Sequence, residues 1–580
     1  MSHLWLDKQT IRSVLCGSGT SALQGHSNPL LATVSGVATT KVPLITYVDR
    51  HVGSVEVITT KSFQVTVNPG NREPIICEIE AGSFGNSVGL RNPGMEEALS
   101  ELRLLRSKGL RCLLNVSISA SNAEDFVTLA GAFQSVADIL ELNFSCPHAA
   151  SGYGSSIGCD PAITAMYVKA IKDAFPDCQA LIFPKLTPNV EDIGIIAKAA
   201  VDAGADGISA INTVGPVVYR EPLGNQIILQ NKLGGKGGKS GRWIKQHALG
   251  AVKRIREAVG PGIPIIGMGG ITDASDIVDM LKAGADVVGI GSAFGKVPQV
   301  HWDSYTKALL SDFRVIITGK EDPRSCYTYY QDYPTMHYEE HRVVSVSMHD
   351  KDTAVIVLDG KKPFEAGQFV FLWIPEVGEK PFSIALSDPL TFVVKRRGPF
   401  TDALLNLQPH NRIYLRGLYG KPVQLAKTER AVLIAGGTGV AVLPALARRL
   451  HEQHTNIVTF IGTSSAAAGP MEEALRAFGP VTSISDDGIP ARVLDFVLPE
   501  LERSESTAVY IVGPEKFMAK AARIARSASI EACNIFLSME LSTMCGIGMC
   551  GECVCGDRLT CQWGTFLSYD YLEREAPVLL

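Results

Sequence analysis

Short Val/Ile/Leu-rich strands alternate with amphipathic helices from the N-terminus to about residue 320, and this alternation limits the fold more than any other feature. RCLLNVSIS precedes AEDFVTLAGAFQSV, QALIFPKLT precedes VEDIGIIAKAAVDAG, and PIIGMGG precedes ASDIVDMLKAG, with DILELNFS, DGISAIN and DVVGIGSAF in the same series. A strand–helix repeat of this length fits an α/β fold of the parallel (β/α)8 TIM-barrel kind, with an open doubly wound sheet as the alternative. The barrel is favoured because Asn143, Lys185, Asn212 and Gly269 each fall at or just past a strand end. That is the end at which barrels build their active sites.

The later texture differs. Residues 321–341 are polar and aromatic (PRSCYTYYQDYPTMHYEEH) and read as a linker after a barrel domain at 1–320. Short strands with turns then suggest a small antiparallel β-barrel over 342–428. Strands at AVLIAG, IVTFIG, VTSIS and AVYIVGP mark an α/β nucleotide-binding domain over 429–535, and 536–580 closes the chain as a cysteine-bearing domain. Chain length agrees with about two to four domains.

That last segment carries MCGIGMCGECVCGDRLTC, in which Cys545, Cys550 and Cys553 are spaced C-x4-C-x2-C and Cys561 follows. The spacing is that of plant-type 2Fe–2S ligands, and glycines let the backbone approach such a cluster closely. A zinc site would favour well-separated C-x2-C pairs. Disulfides do not suit a chain without a secretory leader. Cys555 competes with Cys561 as fourth ligand; Cys561 is preferred because Cys555 lies only two residues past Cys553. A one-electron carrier implies that the rest of the chain both supplies and removes electrons.

Composition narrows the class. The net charge of −5 gives no basic footprint for nucleic acid or an anionic membrane surface. MSHLWLDKQT does not read as a signal peptide, and no run of about 18 uninterrupted apolar residues suggests a membrane span. Thirteen cysteines without a leader point to a reducing, cytoplasmic compartment.

IGMGGI and GIGSAF follow successive strands, as do the phosphate-binding loops after the last two strands of many barrels. The Gly-rich piece LGGKGGKSG (233–241) reads as a further phosphate-facing loop. Cys146, just beyond Asn143, places a thiol at the barrel mouth, where a tuned thiolate serves as a general base. A buried structural cysteine is the alternative reading.

The motifs NPLLATVSG (28–36), TTKS (59–62), GNSVGLRNPG (85–94), ELNFSCP (141–147), PKLTPNV (184–190), INTVG (211–215), GGKSG (237–241), GMGGI and GIGSA together resemble class 1 dihydroorotate dehydrogenase. KPFSIA (380–385), AGGTGVAVLPAL (435–446), SDDG (485–488), VGPEKFM (512–518) and the cysteine run resemble the electron-transfer subunit of its class 1B form, here fused to the catalytic part. The resemblance implies that Cys146 takes a proton from C5 of dihydroorotate while C6 passes hydride to FMN. Asn86, Asn143, Asn212 and Thr213 would hold the ring, with His148 beside it. Lys61 and the backbone of Val88, Gly89 and Leu90 would receive the carboxylate. FMN would lie on Ser35, Gly36, Lys61, Lys185, Gly241, Gly269, Gly270, Gly291 and Ser292. FAD would lie on Lys380, Pro381, Phe382, Ser383, Gly398 and Thr401, and NAD on Gly436, Gly437, Thr438, Gly439, Asp487, Gly513 and Pro514. Electrons would run from FMN through the cluster and FAD to NAD, in pyrimidine biosynthesis, in a homodimer formed through the barrel.

Three departures stand out. His148 replaces the family's usual Asn, and SCPH and INTV are similar to dihydropyrimidine dehydrogenase. Lys380 replaces a frequent Arg, giving a point charge in place of a bidentate fork. The gap from Cys553 to Cys561 is short. GNSVGL, similar to a carboxylate-binding segment, favours dihydroorotate over an uncharged pyrimidine. An electron-transfer component with a non-catalytic barrel is the remaining alternative; the thiol at Cys146 and the lysine at Lys61 argue against it.

Overall fold

The computed structural model describes residues 7–144, 157–319, 321, 323–463, 469–486, 492–502 and 506–580. The chain forms two bodies: Met1–Met336 with Ile547–Glu552, and His337–Gly546 with Cys553–Leu580.

Eight parallel strands close the barrel of the first body: Leu30–Thr33, Val55–Thr59, Leu113–Ile118, Ile139–Asn143, Leu181–Leu186, Ile208–Ala210, Ile265–Met268 and Val287–Ile290. The first pairs with the last, Leu31 opposite Val288. A helix follows each strand. Several of these helices begin on an Asn or Asp whose side chain accepts from the first turn, as at Asn122, Asp160, Asp192 and Asp273.

Side chains alternate along a strand, so every second residue faces the lumen. The strands therefore grade from apolar to polar: Leu181, Phe183, Lys185; Ile139, Glu141, Asn143; Leu113, Asn115, Ser117. Ile139, Leu181, Phe183, Val57 and Ile266 form an apolar cluster to which the helix Lys8–Leu15 adds Ile11 and Leu15. The carboxyl ends of the strands are left to polar groups.

Two expectations are corrected. Lys236–Gly241, read as a loop, is a strand in a four-stranded antiparallel sheet with Ile76–Glu80, Ser83–Asn86 and Val214–Val218. Its glycines permit close backbone approach: a Cβ at Gly237 would stand 2.6 Å from the Asn86 carbonyl oxygen. The segment read as a linker packs, up to Met336, into the first body. Cys326 and Tyr330 are buried, and Thr335 donates from its N–H to Glu78 at 2.6 Å.

Glu78 also pairs with Lys296 at 2.6 Å, both side chains fully buried. Removing one member of a buried pair strands the other's charge, at a cost of about 3–5 kcal/mol. Lys296→Met should lower the unfolding transition of the first body accordingly. Adding Glu78→Gln should recover most of that loss in a thermal or urea scan, and no recovery would mean the pair is not the source.

In the second body, Gly378–Ser383, Phe369–Ile374, Arg412–Tyr419, Tyr338–Met348, Thr353–Leu358, Leu390–Lys395 and Leu386–Ser387 form, in that order, one antiparallel sheet. It encloses an apolar cluster with the helix Pro399–Leu405. A six-stranded sheet follows: Val481–Ser485, Asn456–Thr463, Arg430–Gly436, Thr507–Val512 and Ile535–Ser538 are parallel, and Phe566–Ser568 adds antiparallel at the edge. The terminal segment thus adds Phe566–Ser568 to this sheet and also forms a two-stranded sheet of its own from Val554–Cys555 and Arg558–Leu559. Among the described residues no helix is long and apolar enough to cross a membrane.

Candidate functional site

The polar end of the barrel lumen is one connected network. Asn143 Nδ2 donates to Ser62 Oγ at 2.9 Å, and Asn212 Nδ2 donates to Asn143 Oδ1 at 3.4 Å. Ser62 Oγ lies 3.2 Å from Ser35 Oγ and 2.9 Å from Ser117 Oγ. Ser117 Oγ donates to Glu141 Oε1 at 3.0 Å, and Lys185 Nζ reaches the same oxygen at 3.4 Å. Thr213 donates its N–H to Asn212 Oδ1. Three adjacent strands, Leu113–Ile118, Ile139–Asn143 and Leu181–Leu186, and the segments after Thr33, Thr59 and Ala210 hold this set. Among the described residues, Glu141 Oε2 and Asn115 Oδ1 are buried acceptors without a partner. Unmet acceptors inside a barrel suit a bound group carrying N–H donors, as a flavin or pyrimidine ring does.

Val88, Gly89 and Leu90 lie in the segment after the strand Ser83–Asn86, with φ of 76° at Gly89 and 56° at Leu90. Their carbonyls accept from Asn71 N–H (2.9 Å), Asn68 Nδ2 (3.2 Å) and Asn92 Nδ2 (2.7 Å) respectively. Asn68 and Asn92 both donate to Gln64 Oε1, so Val88–Leu90 is pinned to the segment carrying Lys61 and Ser62. Asn86 ends the strand Ser83–Asn86 and donates to the Gly238 carbonyl at 3.3 Å. Lys61 is 9% exposed and pairs with Glu552 at 3.4 Å. Burial lowers its pKa, and Glu552 opposes that shift.

Gly269 and Gly270 follow the seventh barrel strand, and Gly291 and Ser292 the eighth, Ser292 opening a short 3-10 turn. Gly270 (φ 76°) and Gly241 (φ 93°) adopt backbone conformations that side chains disfavour. A Cβ would come within 2.6 Å of Lys245 Cβ at Gly270 and within 2.1 Å of the Gly82 carbonyl oxygen at Gly241. This compact glycine backbone at two adjacent strand ends fits an oxyanion. Gly36 lies on the loop after the first strand, three residues past Thr33. Cys146 and His148 lie outside the described residues, as does Asp487.

In the second body, Lys380, Pro381, Phe382 and Ser383 are half-buried on the edge strand Gly378–Ser383, a position that tolerates proline. Thr401 Oγ1 accepts from the N–H groups of Arg397 (2.8 Å) and Gly398 (3.1 Å). Phe382 and Ser383 thus keep side-chain surface that a flavin could cover. A cavity of about 480 Å³ is lined by Gly436, Gly437, Thr438, Gly439, Gly513 and Pro514, together with Lys395, Arg397, Lys516 and Lys520. At Gly437 a Cβ would meet nothing within 4 Å, so the backbone there is open to a ligand. The glycines, with four cations against the two lining carboxylates Asp486 and Glu540, fit a dinucleotide pyrophosphate.

The Cys561 thiol hydrogen-bonds to those of Cys545 and Cys553, and those contacts push its pKa well up. Cys555 instead lies in an apolar cluster, where burial pushes its thiol up to about 11. Cys550 falls in the first body, its carbonyl accepting from Thr40 Oγ1 at 2.9 Å. Among the described residues no three His, Cys, Asp or Glu side chains surround a single metal position. A 2Fe–2S cluster takes two thiolates per iron, so its ligands need not converge on one point.

Residues 23–309 match the family model described as dihydroorotate dehydrogenase. The catalytic subunit of dihydroorotate dehydrogenase B (NAD(+)) from Methanothermobacter thermautotrophicus is 40% identical over 241 residues, covering 42% of this chain and 76% of the relative. The chain belongs to the dihydroorotate dehydrogenase family. Dihydroorotate dehydrogenase A (fumarate) from Lactobacillus delbrueckii subsp. bulgaricus is 38% identical over 275 residues, covering 46% of this chain and 83% of that protein. Members named for different electron acceptors therefore match the same barrel, and the acceptor must be argued from the second body. A solved structure reported as "Insights into flavin-based electron bifurcation via the NADH-dependent reduced ferredoxin-NADP oxidoreductase structure" covers 40% of this chain and 92% of its own at 22% identity and a TM-score of 0.36, a level that carries no argument.

The structure of this dihydroorotate dehydrogenase family member adds residues that the sequence reading passed over. Glu141 had a signal, a charge two residues before Asn143 within an otherwise apolar strand. Ser62 and Ser117 had only their strand-end positions. Lys395, Arg397, Lys516 and Lys520 come together only through the fold.

Proposed function

We propose that this chain oxidises dihydroorotate to orotate in its barrel and delivers the electrons to NAD+ through its second half. Support comes chiefly from one observation: the Val88–Leu90 segment is pinned, through Asn68, Asn92 and Gln64, to the segment carrying Lys61 and Ser62, beside the Asn143–Asn212 pair. That arrangement offers a carboxylate site next to amides able to read a pyrimidine ring.

FMN, when bound, accepts the hydride equivalent from C6; FAD and the 2Fe–2S cluster carry electrons onward and NAD+ takes them up as hydride. Cys146 removes the C5 proton. Asn143 and Asn212, with Asn86 and Thr213, orient the ring. Lys61 and the Val88–Leu90 backbone hold the carboxylate. Lys185 would place a cation near the flavin, where reduction would add negative charge, and Gly241, Gly269, Gly270, Gly291 and Ser292 would hold the FMN phosphate. Cys545, Cys550, Cys553 and Cys561 are the cluster ligands in this reading, which the contacts of Cys561 with Cys545 and Cys553 favour over a set with Cys555. Lys380–Ser383 and Thr401 take FAD, and the glycine-lined cavity takes NAD. The reading includes a cytoplasmic homodimer formed through the barrel.

Anaerobic bleaching of the oxidised holoenzyme tests the substrate. Dihydroorotate should bleach the flavin rapidly and dihydrouracil should not, because a site built for a carboxylate disfavours a ligand without one. Bleaching by dihydrouracil alone would move the activity to uncharged pyrimidines, the direction in which His148 points. Bleaching by NADH but by neither pyrimidine would leave the barrel serving another substrate.

A further inference from the structure

Lys61 is not alone at the barrel mouth. Glu552, the residue between Gly551 and Cys553 in the cysteine run, belongs with the first body, and three cations converge on its carboxylate. Oε2 lies 3.3 Å from Lys41 Nζ, and Oε1 lies 3.4 Å from Lys61 Nζ and 3.5 Å from Arg91 Nε. The Glu552 side chain is 9% exposed. Arg91 directly follows the Val88–Leu90 segment, so the same carboxylate touches both ends of the proposed substrate-carboxylate site.

We propose that Glu552 is a specificity-determining residue, an internal carboxylate that partly neutralises the Lys41–Lys61–Arg91 cluster and so limits how strongly the barrel mouth attracts a carboxylate-bearing pyrimidine. The inference rests on the assignment of Lys61 to the substrate carboxylate. Three cations against the one carboxylate they touch leave net positive charge, which Glu101, close enough to act on Lys41 and Lys61, offsets in part. The site therefore still favours an anion, less steeply than an uncompensated cluster would. An ammonium has three donors, so Lys61 can hold Glu552 and a substrate carboxylate together. The charge that Glu552 supplies discriminates between ligands: it acts on orotate, which carries a carboxylate, and leaves uracil untouched.

Equilibrium dialysis of the oxidised holoenzyme against labelled orotate and, separately, labelled uracil tests this without recourse to turnover. Glu552→Gln keeps the shape and removes the charge. It should bind orotate about ten-fold more tightly at low salt, with the gain shrinking as ionic strength rises and uracil affinity unchanged. Glu552→Asp should stay near the parent. Lys41→Met, outside the cysteine run, provides an arm that does not depend on that loop folding; it should weaken orotate binding several-fold. If the parent binds orotate and Glu552→Gln binds it equally or more weakly, or if Lys41→Met leaves it unchanged, the proposal is overturned while the dihydroorotate assignment stands. If the parent ignores orotate but Glu552→Gln binds it, the dihydroorotate assignment falls and the role of Glu552 stands. If neither binds orotate, both fall.

Discussion

Cys146→Ser is expected to slow bleaching of the flavin by dihydroorotate by about 10²–10⁴-fold, the usual contribution of a positioned acid–base group. The argument starts from the strand Ile139–Asn143. Its lumen-facing residues run from Ile139 through Glu141 to Asn143, and Cys146 follows three residues later in the sequence. Lys185 is buried at the polar end of the lumen and Lys61 nearly so. Ammonium groups favour a thiolate over a thiol. A serine hydroxyl ionises far less readily, so the same field does not make it a base at neutral pH. NADH does not involve this proton, so NADH-driven bleaching should be unchanged in the variant, as should orotate binding by dialysis. An unaltered rate with dihydroorotate would take the base role away from Cys146. Equal slowing of both reductants would point to damage in the shared electron path.

What the sequence reading could and could not reach follows from the range of the interactions. Strand–helix alternation is local, and a period of two within a strand is enough to place Asn143 and Lys185 at the polar end of the lumen. The same rule would have reached Glu141. Lys236–Gly241 escaped because three of its six residues are glycine, and a strand with so few side chains shows no alternation; its partners, Ser83–Asn86 and Val214–Val218, identify it only in three dimensions. Residues around Tyr330 resembled a linker by composition, yet the buried Glu78–Lys296 pair needs the N–H of Thr335 as a donor. Glu552 meets Lys61 across 491 positions. No pattern in a single sequence announces such a pairing, and the cysteines on either side draw attention from the glutamate between them.

Arg416 is the second site at which one substitution should have a large effect, because it joins two parts of the second body that the sequence presents separately. Its guanidinium meets Glu379 as a fork, Nε to Oε1 at 2.7 Å and Nη2 to Oε2 at 2.6 Å, with both side chains fully buried. Glu379 also accepts from Tyr338 Oη at 2.7 Å and immediately precedes Lys380 on the edge strand proposed for FAD. Of the remaining donors, Nη1 reaches the Tyr419 hydroxyl at 2.9 Å and the Cys545 carbonyl at 2.8 Å, and Nη2 the Met544 carbonyl at 3.2 Å. Arg416→Met leaves a buried carboxylate uncompensated, costing about 3–5 kcal/mol, and releases the backbone of the first proposed cluster ligand. Arg416→Lys should fail as well, since a point charge cannot reproduce the fork and both carbonyl bonds. The double variant Arg416→Met/Glu379→Leu separates the two effects. It removes the stranded charge and should recover most of the stability in a thermal scan, while bound iron per chain and the visible absorption of the cluster stay below the parent because the Cys545 carbonyl still lacks its donor. Full iron content in that double variant would mean that Arg416 stabilises the fold without positioning the cysteine run. Iron loss that persists after stability returns would tie cluster assembly to a residue 129 positions away in the chain.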